Sequence, residues 1–313
     1  MGGGGPQEAY TLQYDSMYSQ MAWSSSFMKE YAVSFGREQS LVGILSENGG
    51  ADANAQDDPT GVLLLNAGLI HRIGPNRIYV KMARLLASLG FVVFRFDFSG
   101  IGDSGPRKDK LSVAESRTDE MRQAMDYLER SRGVRRFFCI GFCEGATRAG
   151  QIMLVDDRVK KAVLVNPPVP ESPQKEGMAL SSYYRKRALR NPYSWLKLFS
   201  GRSSYNSVWK ALSMEIKALL ELYRLQNRQV SDAAIALNQF FRTLRMRSVQ
   251  LLMVFSESDF GDRYLREVVG DQFQKMQDSG LLTIEKLDKT DHSVTPLDSQ
   301  ERLLGLISTW GRR

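Results

Sequence analysis

The sequence predicts an α/β protein, a mostly parallel central sheet of about eight strands flanked by helices and interrupted by a helical lid. Three observations carry this. Short apolar runs alternate with amphipathic stretches from Gly61 onward; one run ends in a turn with glycine on both sides; and the alternation breaks once, between Asn166 and Val249.

In chain order, residues 1–26 read as a flexible start: MGGGGPQEAY lacks the charged flank and apolar stretch of a secretory signal. From Phe27 to Ser46 apolar and polar residues alternate around Gly36, as in two antiparallel strands. Glu47 to Thr60 is a loop. The following strands are Gly61–Asn66, Phe91–Phe96, Arg136–Ile140, Lys161–Val165, Val249–Phe255 and Leu281–Leu287. Helices are expected at Arg77–Leu89, Ser112–Arg130, Glu144–Val155, Asp262–Gln277 and Pro296–Trp310. The break of about eighty residues is far longer than an ordinary connection. It is read as a lid, residues 167–247, inserted into a core of residues 27–166 and 248–313. Its candidate helices are Leu180–Arg190, Ser207–Leu225 and Ser231–Arg245.

Composition narrows the class. Hydrophobic residues make up 42% and charged residues 25% of 313, and no apolar run reaches the length of a membrane span. A cytoplasmic protein is expected. Cys139 and Cys143 lie four residues apart on opposite sides of a strand-to-helix junction, so both are expected to be reduced. The basic residues behind the net charge of +7 do not gather into a short cluster and no RNA-binding or zinc motif is present, so no nucleic-acid partner is expected.

The chemistry begins after the strand Arg136–Ile140, at Gly141-Phe142-Cys143-Glu144-Gly145. GxCxG between a strand and a helix is the cysteine form of the nucleophile elbow. The turn is so tight that side chains two residues to either side of the nucleophile would collide, hence the two glycines. The following helix points amide dipoles toward the sulfur, and the amide of Glu144 is placed to meet an oxyanion. Cys139, inside the strand, reads as core.

On such an elbow the partners follow in the order acid, then histidine. Of two histidines, His292 lies after the strand Leu281–Leu287 and before the last helix, where the base belongs. The acid should follow Val249–Phe255, where Asp259 is favoured over Glu257 because it lies farther into the loop. Asp291 reads as a loop residue. The loop after Gly61–Asn66 supplies the second oxyanion amide from Gly68 or Leu69, and Asp97–Gly105 follows the next strand as a second glycine-rich loop. His71, Arg72 and Arg77 admit two readings: they hold a carboxylate or phosphate of the substrate, or they brace the loop.

With these motifs in place the chain, from Phe27 to Arg313 apart from the lid, resembles the α/β-hydrolase superfamily. The stretch NAGLIHRIGPNRIYVKMARLLASLGFVVFRFDFSGIGDS, Asn66 to Ser104, is similar to exosortase-associated hydrolases, near the serine aminopeptidase-like group. The resemblance implies the fold, the triad and the place of the lid. That superfamily mostly uses serine; Cys143 is similar instead to the nucleophile of dienelactone hydrolases and of some acyl-releasing enzymes of polyketide assembly.

An acyl group on sulfur is itself a thioester, so accepting a chain from a carrier thiol exchanges like for like. From Pro167 to Arg247 there are 14 Lys or Arg against 5 Asp or Glu, while the other 28 basic and 30 acidic residues nearly balance. Within the lid Arg185, Lys186, Arg187, Arg190 and Lys197 alternate with Tyr183, Tyr184, Tyr193, Trp195 and Leu196. This basic face suits an acidic acyl carrier protein, coenzyme A or an anionic membrane surface; an ordinary solvated helix face is the plain alternative. The expected function is a cysteine-dependent thioesterase, acyltransferase or cyclase without metal or cofactor. The alternatives are an ester or lactone hydrolase and an inactive binding module.

Overall fold

The computed structural model describes residues 28–49, 58–168, 232–257, 259, 261–269 and 271–313. Eight strands lie in it: β1 (Met28–Phe35), β2 (Leu41–Asn48), β3 (Thr60–Leu65), β4 (Val92–Phe96), β5 (Arg136–Phe142), β6 (Val159–Val165), β7 (Gln250–Ser256) and β8 (Leu282–Leu287). They form one sheet in the order β1-β2-β4-β3-β5-β6-β7-β8. Strand β1 pairs antiparallel with β2, and β2 antiparallel with β4; every other neighbouring pair is parallel. The chain alternates between short apolar runs and helices because each parallel pairing needs a crossover to return to the same edge.

The crossovers contain α1 (Ile78–Ser88), α2 (Val113–Arg132), α3 (Glu144–Val155), α4 (residues 232–246), α5 (Gly261–Val269) and α6 (Asp271–Asp278), and α7 (Leu297–Gly311) follows the last strand, β8. Local chemistry fixes the ends of α2: Ser112 and Glu115 form a reciprocal capping box, and Gly133 closes the helix at φ 70. The helix expected over Asp262–Gln277 corresponds to α5 and α6, and residue 270 between them lies outside the described residues.

The sheet separates two cores. Along β5, Phe137 and Cys139 face one side with α2, α3, α5 and α6, whereas Phe138, Ile140 and Phe142 face the other with α1 and α7. Helix α4 contributes Phe241 and Leu244 to the first core, and Phe241 meets Phe273 edge-on at 5.5 Å. Arg247, just past α4, pairs with Asp157 beyond α3. The last helix of the stretch read as a lid therefore packs on the sheet. The lid helices expected at Leu180–Arg190 and Ser207–Leu225, their basic residues, and residues 1–26 lie outside the described residues.

Candidate active site

Strand β5 ends and α3 begins within a single residue, Cys143, whose backbone stands at φ 50, ψ −119. This lies outside the ordinary allowed regions for an L-residue, so the surroundings must hold it. They do. A methyl group on Gly141 would come 2.1 Å from the backbone of Gly145, and one on Gly145 would come 2.5 Å from the carbonyl oxygen of Leu65. The Cys143 amide donates to Val165 O at 2.9 Å, and the Phe142 amide donates to the hydroxyl of Tyr79 at 3.1 Å. Tyr79 in turn donates to Leu65 O at 2.7 Å. Its complete burial raises the phenol's pKa, which keeps it a donor. The Cys143 side chain is half-buried, while Cys139 is fully buried in the sheet core and burial pushes its thiol up.

The loops after β7 and β8 bring an acid and an imidazole together. Oδ2 of Asp259 lies 3.3 Å from Nδ1 of His292. The carboxylate is withdrawn, 14% exposed, while the imidazole side chain is 50% exposed. Oδ1 of Asp259 accepts the amide of Gly261 at 2.9 Å, fixing the direction of the second oxygen. Glu257 points elsewhere and accepts the Lys289 amide at 2.7 Å. Asp291 caps its own loop through the amide and hydroxyl of Thr295, each at 2.8 Å, and these bonds hold its carboxyl below the ordinary value. Among the described residues the Cys143 thiol makes no hydrogen bond, so the structure pairs acid with base without closing a contact from thiol to ring.

Opposite the elbow, Gly68 stands at φ 61, and a methyl group there would lie 3.9 Å from Oε2 of Glu144. The loop after β3 and the elbow thus face each other. Among the described residues the amides of Gly68, Leu69 and Glu144 donate to nothing, which leaves them for a ligand. Glu144 is ion-paired to Arg148 one turn along α3. Leu69, 89% exposed, and Ile70 turn apolar side chains outward beside this loop.

Of the three basic candidates, the structure shows Arg72 occupied. Asp97, at the end of β4, is fully buried and accepts from Asn66 Nδ2 at 3.2 Å, from the Arg72 amide at 2.6 Å and from the Arg72 guanidinium. Arg72 also grips Asp103, tying the loop after β3 to the Asp97–Gly105 loop. There Gly102, at φ 53, leaves no room for a side chain against Asp97. His71 and Arg77 are exposed.

Several site residues have no signature in the sequence. Asn166, directly past β6, donates to His292 O at 2.8 Å, and Asn76 donates to Ser293 O at 3.1 Å. The histidine loop is therefore held from two sides. Ser256 and Tyr79 complete the frame. Asparagine's tolerance of positive φ at a strand end is the one signal available in advance. Among the described residues no group of three or more His, Cys, Asp or Glu is placed to hold a metal, and no helix is long and apolar enough to cross a membrane.

The glycine-locked elbow, the acid–histidine pair past β7 and β8, and the parallel sheet agree with the comparison to known families. The model of the alpha/beta hydrolase fold matches residues 61–240, more than half of the chain. This chain belongs to the α/β-hydrolase fold family. Among solved structures, a CIB-like hydrolase from Thermoplasma acidophilum is similar at 11% identity, over 91% of this chain and 98% of that one, with a TM-score of 0.51. A dienelactone hydrolase-like promiscuous phosphotriesterase from metagenomic libraries is similar at 14% identity, over 91% and 98%, with a TM-score of 0.50. At such identities the likeness is one of α/β-hydrolase architecture. No curated protein sequence matches the chain.

Proposed function

We propose that this α/β-hydrolase is a cysteine-dependent acyl-transfer enzyme that forms a covalent acyl intermediate on Cys143. The observation that carries the reading is the strained, glycine-locked backbone of Cys143 on a strand end whose neighbouring loops hold the Asp259–His292 pair. In this mechanism His292 takes the thiol proton, and Asp259 holds the ring so that Nδ1 keeps its hydrogen. The thiolate adds to the substrate carbonyl, and the resulting oxyanion is received by the amides of Glu144 and of Gly68 or Leu69. The carbon–leaving-group bond breaks as the imidazolium returns its proton to the departing thiol or alcohol. Water then gives a proton to His292 and its hydroxyl to the acyl carbon, releasing the acid and regenerating the thiol. The half-exposed ring of His292 favours water as the acceptor. Thioester donors are matched to a sulfur nucleophile, and a chain carried on coenzyme A or a carrier protein suits the basic composition of residues 167–247.

Mass spectrometry tests this. Incubation with N-acetylcysteamine thioesters should add one acyl mass, located on Cys143, and the adduct should accumulate in His292→Ala. Label from p-nitrophenyl esters but never from thioesters would assign ester or lactone hydrolysis instead. No label from any donor would overturn acyl transfer and leave a binding module.

A further inference from the structure

We infer that Asn166 is a positioning residue for the reaction, setting the reach of His292 toward Cys143 through the backbone of the histidine loop. The inference rests on the acyl-transfer reading above. Asn166 follows β6 directly, is fully buried and stands at φ 46, a conformation that asparagine tolerates better than most residues. Its own amide donates to Val254 O at 2.9 Å, while the preceding residue, Val165, accepts the Cys143 amide at 2.9 Å. One step of chain therefore separates the support of the candidate nucleophile from everything Asn166 holds.

Its side chain holds both other loops. One Nδ2 hydrogen goes to His292 O at 2.8 Å and the other to Ser256 Oγ at 2.6 Å, while Oδ1 accepts the Ser256 amide at 2.7 Å. Ser256 extends the chain in two directions: its hydroxyl donates to Asp291 O at 2.8 Å, and its carbonyl accepts the Asp259 amide at 2.9 Å. A single carboxamide thus fixes the backbone on both sides of the Asp259–His292 contact. Only an amide serves. A carboxylate offers no hydrogens, and both donors are in use. Removing the donors takes one hydrogen bond from the part-buried His292 carbonyl and one from the buried Ser256 hydroxyl, which itself holds Asp291 O, so the histidine loop shifts to find others.

The variant Asn166→Asp keeps the shape, the positive φ and the acceptor for Ser256, and removes both donors. We expect kcat for a thioester surrogate to fall by about tenfold to a hundredfold, the effect of a displacement near 1 Å, with KM little changed. The chain has two histidines, so the His292 Cε1 proton line can be assigned by its loss in His292→Ala. We expect it to move in Asn166→Asp while the His71 line stays. Should Asn166→Asp fail to fold, Asn166→Gly keeps the backbone conformation and gives the same readouts. Lowered melting temperature with an unmoved His292 line and unchanged kcat would overturn the inference, leaving Asn166 as a brace. If His292→Ala itself leaves the rate unchanged, the acyl-transfer reading fails; if His292→Ala is slow and Asn166→Asp is not, the positioning inference alone fails.

Discussion

Asp259 and Glu257 sit two residues apart on one loop, and only Asp259 turns to His292, at 3.3 Å, while Glu257 is drawn off by the amide of Lys289. Replacing the two carboxylates separately should therefore give unequal results. Asp259→Asn presents the ring with a group that can stabilise the wrong tautomer, and turnover should fall by about three to four powers of ten, as when a triad acid is neutralised. Glu257→Gln should keep near-normal turnover. Steady-state rates on a thioester surrogate, with circular dichroism to confirm folding, check the pair.

Arg72 and Arg77 make a second contrast, because the first is committed to a buried partner and the second is open to solvent. Arg72→Ala leaves Asp97 buried with its principal counter-charge gone. The loss of stability in urea unfolding should be about 3 kcal/mol. Arg77→Ala should change stability by less than about 0.5 kcal/mol. If Arg77 and His71 serve as anion-binding groups, that same variant raises KM for acyl donors bearing a terminal carboxylate and leaves neutral donors untouched.

Much of this architecture can be read in advance, because periodicity reports which face a residue takes. The alternation in Phe137-Phe138-Cys139-Ile140 indicates a strand buried on both faces, and the glycines of GxCxG report a collision that any side chain would cause. Hydrogen bonds made after folding leave no such trace. Asn76 meets Ser293 across more than two hundred residues, and Asn166 meets His292 across more than a hundred. Beyond the asparagine itself, nothing near Asn166 marks the end of its strand as special, and nothing near Arg72 distinguishes a ligand-binding guanidinium from one already paired. Which strand ends become neighbours depends on the sheet order, and that order belongs to the assembled chain. Helix α4, described over residues 232–246, makes the same point, since its amphipathic spacing suits a lid and a core equally well.

The elbow glycines give a prediction about folding rather than chemistry. Gly145 passes so near Leu65 O that an added methyl group would stand 2.5 Å away, against backbone atoms that cannot rotate aside. Gly145→Ala should cost about 1–3 kcal/mol in chemical denaturation, the ordinary range for overpacking. A carbonyl displaced from Leu65 also disturbs the acceptor of Tyr79, which supports the amide of Phe142. Activity should therefore fall along with stability. A stable, fully active Gly145→Ala protein would mean that the elbow relaxes in solution.

The histidine loop should also respond to acid. Asp291 is held below its ordinary value of 3.8, first by the amide of Thr295 and then by its hydroxyl. A carboxyl lowered in the folded state contributes stability that is fully present above its unfolded value and is lost as pH falls through the folded one. Protonation then removes the cap that fixes the residues on either side of His292. Thr295→Val deletes the hydroxyl contact, together with the 3.3 Å bond that hydroxyl receives from Asn76, so the folded value rises toward the unfolded one. The variant should be less stable near neutrality by about 0.5–1 kcal/mol, a small figure because Asp291 is exposed and solvent screens the interaction. The difference from the parent should shrink as pH drops below the usual aspartate range, since the parent loses the same contact there. Unfolding curves collected from neutrality down to about pH 2.5 measure that convergence; a gap that stays constant across this range would place the loop's stability elsewhere than on Asp291.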